Sequence, residues 1–442
     1  MGFFSRDNLS QTITAGKVGI FLARRQILRA SKTTTALIIF VMTLTFLNLV
    51  VVSGILVGLL QGSTDAYVKT YSGDILISTL PKKTYIENSQ EIINIAKNLP
   101  WVESLSARYL DSGSIEAGYQ TRINFLDNPN TAGGQVAGID PVAEAETTDL
   151  PTKVVEGRFL TPDDTDGILI GANMLKKYLP IDAPGLSLLE NVAVGDKVRL
   201  TVGNNVFLDA RGGSTVTGSS GLTKEFTVEG IVKSKTDVDS RIFMLDSTLR
   251  PMIGRTDYNV DEIAIKVKPG TDLALVKQAL LKAGAGETAR VQTWEESLPK
   301  FLKDIQDTFA LLGNVISSIG LVVASITIFI VIFINAITRR KFIGILKGIG
   351  IDGRAIQLAY IIQSLFYALT GTILGVAIVF GFLKPFFLAH PINFPFSDGI
   401  LVATIPGVAI RAFFLLLATL IAGYIPAKLV VRQNTLDAIL GR

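Results

Sequence analysis

Apolar residues are not spread evenly along this 442-residue chain; they gather in long uncharged runs toward its two ends. Residues 36–60, 308–338 and 355–383 form runs of 25, 31 and 29 residues without a charge. Each reaches the roughly 20 apolar residues that a helix needs to cross a hydrocarbon core. A fourth run is interrupted, with residues 399–410 and 412–427 flanking Arg411 and Pro406 upstream. A span over about 403–431 accommodates it, with Arg411 near the outer end and its head reaching the interface. Ahead of the first run, Val18, Phe21, Leu22 and Leu28 recur at helical spacing beside Arg24, Arg25, Arg29 and Lys32. That is the pattern of an amphipathic helix lying on the inner leaflet.

Between the first and second runs the pattern changes. "GDILIST", "TRINFL", "DGILIG", "GDKVRLTV", "EFTVEGIV", "RIFML" and "DEIAIKV" carry β-branched residues bounded by turn formers, which reads as strand. Two helices interrupt them. Ser89 is placed to cap a helix of about ten residues ending at Pro100, and Thr271 one that stops at Gly284. Each completes a strand, helix, strand unit, one at either end of segment 62–305. The expected domain is therefore α+β, its membrane-proximal part built from 62–135 and 241–305 and a β-rich part, 136–240, inserted between them. Residues 203–221, rich in Gly, Ser, Thr and Asn, read either as a hairpin tip or as a loop that grips a partner.

Charge sets the orientation. Residues 1–35, 339–354 and 428–442 hold 6, 5 and 3 Lys+Arg against one acid each, so within a net charge of +4 the rest of the chain is negative. The positive-inside rule places those three pieces in the cytoplasm and 62–305 outside. The expected layout is a cytoplasmic amphipathic helix (1–35), spans at 36–61, 306–338, 355–384 and 403–431, a cytoplasmic helix at 339–354, a short outer loop at 385–402 and a cytoplasmic tail at 432–442. The expectation is a multi-pass protein, of a bacterial inner membrane, with both termini inside. The basic balance follows from that topology and points to no nucleic-acid partner. A first apolar run that begins near residue 36 and is this long does not read as a cleaved signal peptide. Without cysteine, the outer domain has neither disulfides nor thiolate metal sites and stands on its hydrophobic core.

Candidate chemistry is sparse. His390, in "FLAHPINFP", is the sole histidine, which excludes two-histidine metal motifs and ordinary Ser-His-Asp triads within one chain; it reads as a solvated residue of a short outer loop. Gly16-Lys17 is followed by Val18, so no phosphate cradle forms. Asp163-Asp164 and Glu295-Glu296 read as solvated charge. The spans carry Asn48, Asn335 and Gln363 but no buried acid, which argues against a proton- or sodium-driven carrier. No catalytic, cofactor-binding or metal-ligating residue is expected, and the energy for any work comes from elsewhere.

"RRKFIGILKGIGIDGR", residues 339–354, joins two spans. Phe342, Ile345 or Leu346, and Ile349 recur at three to four residue spacing, which gives a helix one apolar face, while Arg340, Lys347 and Arg354 project elsewhere. Gly344 and Gly348 offer a shallow stripe where another surface can approach. A force on so short a tether moves both spans. This segment resembles the coupling segment "R-x-x-E-I-G-I-L-K-A-I-G-A" of the MacB/LolC/FtsX-type ABC transporter permeases, which share the layout of one span, a large outer domain and three further spans. "GYIPAKLVVRQNTLDAIL" is similar to that family's ending, and "VAGIDPVAE", "VVEGRFL", "DGILIGANMLKKYL" and "VGDKVRL" look like the lipoprotein-releasing LolC/LolE branch. The resemblance covers nearly the whole chain. It departs at Phe342, where the family has an acid, and at "QNTL", where it has a proline.

The resemblance implies a non-catalytic permease, paired with itself or with a sister chain, on cytoplasmic ABC ATPase subunits that bind the ATP. The substrate would be lipidic, a lipoprotein or a peptide, handled on the outer side. Phe342, Ile345, Leu346 and Ile349 would fill a groove on the ATPase, and Arg340, Lys347 and Arg354 would meet its acidic rim. A second reading is a mechanotransmission protein that activates an external partner such as a cell-wall hydrolase.

Overall fold

The structure, a computed structural model, describes residues 6–120, 129–179, 187–203, 206–208, 214–216, 221–390, 392–394, 397–399 and 401–432. The chain divides into a membrane unit, residues 1–61 and 304–442 apart from 395–397, and an outer domain over 62–303.

Among the described residues, four helices are long and apolar enough to cross a membrane: Lys32–Ser72, Leu302–Thr338, Gly353–Ala389 and Ile405–Leu429. The first and third touch where the third lacks side chains. A Cβ at Gly371 would lie 2.7 Å from Met42 Cβ, and one at Gly375 only 2.3 Å from the Phe46 ring. The second span buries Ala324, Ile328, Ile332 and Ala336, one per turn, in the same core and turns Ile319, Ile326 and Ile330 outward. The N-terminal helix, Arg6–Leu28, packs Leu22 and Ala23 into that core. Its Gly19 is so close to the third span that a Cβ there would meet the Ala355 carbonyl at 3.0 Å. Of the four residues expected on its apolar face, Val18 and Leu22 pack on protein, whereas Phe21 and Leu28 stay exposed. The helix is thus only partly a surface anchor.

The outer domain is a ten-stranded sheet: β1 (Ile75–Thr79), β2 (Val102–Ala117), β3 (Asn130–Ile139), β4 (Val154–Gly157), β5 (Gly167–Gly171) and β6 (Lys197–Val202) come first. After the small hairpin of β7 (Val206–Leu208) and β8 (Ser214–Val216) follow β9 (Leu222–Val232), β10 (Arg241–Leu245), β11 (Glu262–Val267) and β12 (Ala289–Thr293). The long β2 is its spine. One side of it pairs with β11 along 102–108 and with β6 along 113–117, and the other side pairs with β3. Pairing then runs β3 to β10, β5, β9 and β6, which closes six strands into a ring. An arm, β11, β1 and β12, extends from it. The expected boundary at 136 falls inside β3, and both parts of the domain share β2 in one continuous sheet. "TRINFL" lies outside the described residues, as does much of 203–221.

Alternation sorts the strands into two cores, one for each face of the sheet. Ile75, Ile77, Ile168, Ile170, Ile263 and Ile265 join one, while Leu76, Leu169, Ala264 and Phe243 join the other with Tyr67, Tyr71 and Leu298. Two caps differ from expectation. The helix Ser89–Asn98 is preceded by Asn88 in the left-handed region, and the Ser89 hydroxyl instead accepts from the Val260 amide at 3.0 Å, tying the helix to the start of β11. Asp272, not Thr271, caps the helix Leu273–Lys282, its carboxylate accepting from Ala274 N at 2.9 Å as the stronger acceptor of the two.

Candidate coupling site

Residues 340–348 form one short helix, Arg340–Gly348, between the second and third spans. Its end is fixed by backbone geometry: Gly350 takes φ +89°, its amide donates to the Lys347 carbonyl at 3.0 Å, and the Ile351 amide donates to Leu346 O at 3.0 Å. This is a Schellman closure, which favours glycine at the left-handed position and packs Ile351 back on the helix. Asp352 then accepts from Arg354 N at 2.9 Å and starts the third span. No slack separates the helix from its neighbours.

The helix has two apolar faces. Ile343 and Leu346 are buried in the membrane unit's core, whereas Phe342, Ile345 and Ile349 are 48%, 52% and 70% exposed. Leu346 was expected on the outward face; it is turned inward, because 343 and 346 share one side of the helix and 342, 345 and 349 another. Lys347 is also committed, its Nζ donating to the Val431 carbonyl at the end of the fourth span at 3.0 Å. Arg354 is exposed and Arg340 half-buried. Gly344 is buried, while Gly348 faces open space. The expected glycine stripe is therefore split between the two sides. The tail motif beyond residue 432 lies outside the described residues. A cavity of about 400 Å³ opens beside the helix, lined by Thr14 and Val18 of the N-terminal helix and by Gly350, Ile351 and Asp352.

The outer domain holds a second arrangement that sequence reasoning missed. The first-span helix continues to Tyr67 and, as a π turn, Val68–Ser72, where Tyr67 and Tyr71 are buried. The guanidinium groups of Arg108 and Arg241 lie 4.6 and 3.9 Å from the centre of the Tyr71 ring, whose hydroxyl donates to Glu262. Arg108, only 1% exposed, donates through Nε and Nη2 to Glu144 at 2.9 and 2.6 Å. Ser106 and Thr148 hydroxyls donate to the same carboxylate at 2.6 and 2.8 Å. Burial alone would raise the Glu144 carboxyl, but the Arg108 charge and these hydrogen bonds outweigh it and hold the carboxyl below its ordinary range. Nearby Asp261 is the converse case. Burial pushes its carboxyl up to about 6 despite a 2.7 Å bond from the Leu110 amide and the pair with Arg255.

A family model described as the MacB-like periplasmic core domain matches residues 35–283, and one described as FtsX-like permease C-terminal matches 314–435. An uncharacterized ABC transporter permease of Methanocaldococcus jannaschii, MJ1507, is 30% identical over 229 residues, which is 49% of this chain and 55% of that protein. An uncharacterized ABC transporter permease of Bacillus subtilis, YvrN, is 23% identical over 369 residues, 79% of this chain and 78% of its own. The macrolide export ATP-binding/permease protein MacB of Bdellovibrio bacteriovorus is 25% identical over 288 residues, 60% of this chain and 43% of its own. The chain thus spans about half the length of the first and third of these relatives. Among solved structures, the periplasmic region of MacB from Actinobacillus actinomycetemcomitans is 15% identical, with 52% of this chain and 92% of that one covered at a TM-score of 0.33.

Proposed function

Because this chain belongs to the MacB/FtsX-type family of ABC transporter permeases, we propose that it is the membrane subunit of an exporter or extractor driven by a separate cytoplasmic ATPase. The exposed apolar triplet Phe342, Ile345 and Ile349 carries this reading. It belongs to a helix whose opposite face is locked into the spans, so a partner that covers the triplet pushes on the second and third spans directly and, through Lys347, on the end of the fourth. The phenylalanine at 342 makes the contact apolar where the family uses an acid. Arg340 and Arg354 flank it as cations for an acidic rim. Both termini and this helix would be cytoplasmic in a bacterial inner membrane, the permease would work as a homodimer or a dimer with a sister chain, and the cargo would be lipidic, a lipoprotein or a peptide.

Copurification with the cognate ATPase tests it. Ile345→Asp with Phe342→Asp should abolish ATPase binding and leave the thermal midpoint of the permease unchanged, because both side chains already face outward. An aspartate buried at such an interface costs several kcal/mol. Leu346→Asp should instead destabilise the membrane unit itself. Full ATPase recovery and transport with the Phe342/Ile345 double variant would refute the assignment.

A further inference from the structure

Arg411 interrupts the apolar fourth span in the second turn of its helix, Ile405–Val431. On one side of it Val408 and Leu415 are buried, and on the other Ile410 and Phe414 are 57% and 50% exposed. The guanidinium extends back toward the start of the helix. Nη1 donates to the Gly407 carbonyl at 3.0 Å, and Nη2 donates to the Ser53 hydroxyl of the first span. A guanidinium carries five N–H donors. These two bonds use two of them, both acceptors are neutral, and among the described residues no carboxylate pairs with the group. Among the described residues none of its nitrogens is sealed inside the protein without a partner, so the remaining donors open to the surroundings of the span.

The depth of this site is set by the chain. Ser53 lies in the last third of the 36–60 apolar run, toward the end where the helix leads into the outer domain. Arg411 lies six residues into its helix, roughly 9 Å from the start at 1.5 Å per residue. Both are therefore near the boundary between hydrocarbon and headgroups in the leaflet from which the outer domain emerges. The corner is braced: the Val402 amide donates to the Gly54 carbonyl at 3.1 Å, and a Cβ on Gly54 would meet Leu401 at 2.7 Å. A full charge with only neutral partners at this depth is costly, and lipid phosphate is the anion abundant there. We propose that Arg411, held by Ser53, binds the phosphate of a phospholipid headgroup at the junction of the first and fourth spans. The planar fork of the guanidinium matches two phosphate oxygens.

Native mass spectrometry of the full chain in detergent tests this with phosphatidylglycerol, with diacylglycerol of the same acyl chains as the phosphate-free control, and with inorganic phosphate as competitor. Wild type should retain phosphatidylglycerol over diacylglycerol. Arg411→Gln should weaken phosphatidylglycerol about tenfold or more, the loss of one charge-assisted contact, and leave diacylglycerol unchanged, with Arg411→Lys recovering part of the difference. Equal retention of the two lipids by wild type overturns the proposal without recourse to a variant. So does undiminished phosphatidylglycerol binding by Arg411→Gln, or displacement of the lipid by inorganic phosphate at matched concentration, which would make the site one for the free ion.

Discussion

Replacing Arg108 by methionine removes the group that holds Tyr71, Glu144 and Glu262 around one point. Arg108 and Glu144 are each about 1% exposed, and their bidentate pair is what compensates the buried carboxylate. Removing one partner of such a pair costs about 3–5 kcal/mol, because the other is left as an uncompensated buried charge. Two hydroxyl donors, Ser106 and Thr148, remain on Glu144 and place the expected loss toward the lower end, about 3 kcal/mol. Arg108→Met with Glu144→Leu removes both charges and should recover most of it. The assay is convenient, since both tryptophans of the chain, Trp101 and Trp294, lie in the outer domain. Their fluorescence during denaturant titration of the full chain reads that domain alone. At about 2–4 °C per kcal/mol for a domain of this size, the single variant should also lower the thermal midpoint by roughly 6–12 °C. Because the Glu144 carboxyl sits below its ordinary range in the fold, its contribution is present above the unfolded carboxylate range and is lost as the pH falls through the folded value. The gap between Glu144→Gln and wild type should therefore shrink in acid. A single variant within 1 kcal/mol of wild type, or a double variant no better than the single, would show that the pair does not work as argued.

Asp261 has the opposite sign. With its carboxyl at about 6 in the fold and near 3.8 unfolded, the folded state holds a proton that the unfolded chain lacks between those values, so stability should rise as the pH falls from 7 toward 4. Asp261→Asn should flatten that rise, worth about 2–3 kcal/mol, in tryptophan-detected denaturation at a series of pH values. Gly350→Ala meets no steric obstacle, only its left-handed φ; it should cost about 1 kcal/mol locally and lower transport-coupled ATPase activity while ATPase copurification persists. Gly375→Ala puts a Cβ 2.3 Å from the Phe46 ring. It should force the first and third spans apart and reduce the monodisperse yield in detergent by size-exclusion chromatography.

The spans, the short basic helix and most strands were legible because each depends on local composition or on a period of two or 3.6. The closure of the sheet was not. β3, "NTAGGQVAGI", carries too many glycines to read as a strand, yet Gly134 and Gly138 are needed there: a Cβ on either would lie 2.6 Å from the Ser240 carbonyl or 2.9 Å from Leu249. In the coupling helix, spacing identified the apolar positions but could not divide them between two partners. A helix that packs on its own spans and also exposes Phe342, Ile345 and Ile349 is apolar on both sides, so Leu346 and Ile345 look alike until the fold turns one inward. The Tyr71 clamp left no local signal, because Arg108 and Arg241 are 37 and 170 residues away from Tyr71 in the chain and an isolated arginine in a strand reads as surface charge.

That clamp also bears on how the strands of the outer domain hold together. The turn that carries its ring, Val68–Ser72, leads into β1, and its Tyr71 and Ser72 are buried. Tyr71 thereby ties together Arg108 on β2 and Arg241 on β10, the two strands that flank β3 in the ring. Because those three strands are hydrogen-bonded along their pairing, they respond together. Tyr71→Leu, which takes the ring from both guanidinium groups, should thus lower the tryptophan-detected midpoint of the outer domain and leave copurification of the proposed ATPase unchanged, an effect separable from loss of the Phe342 and Ile345 contact.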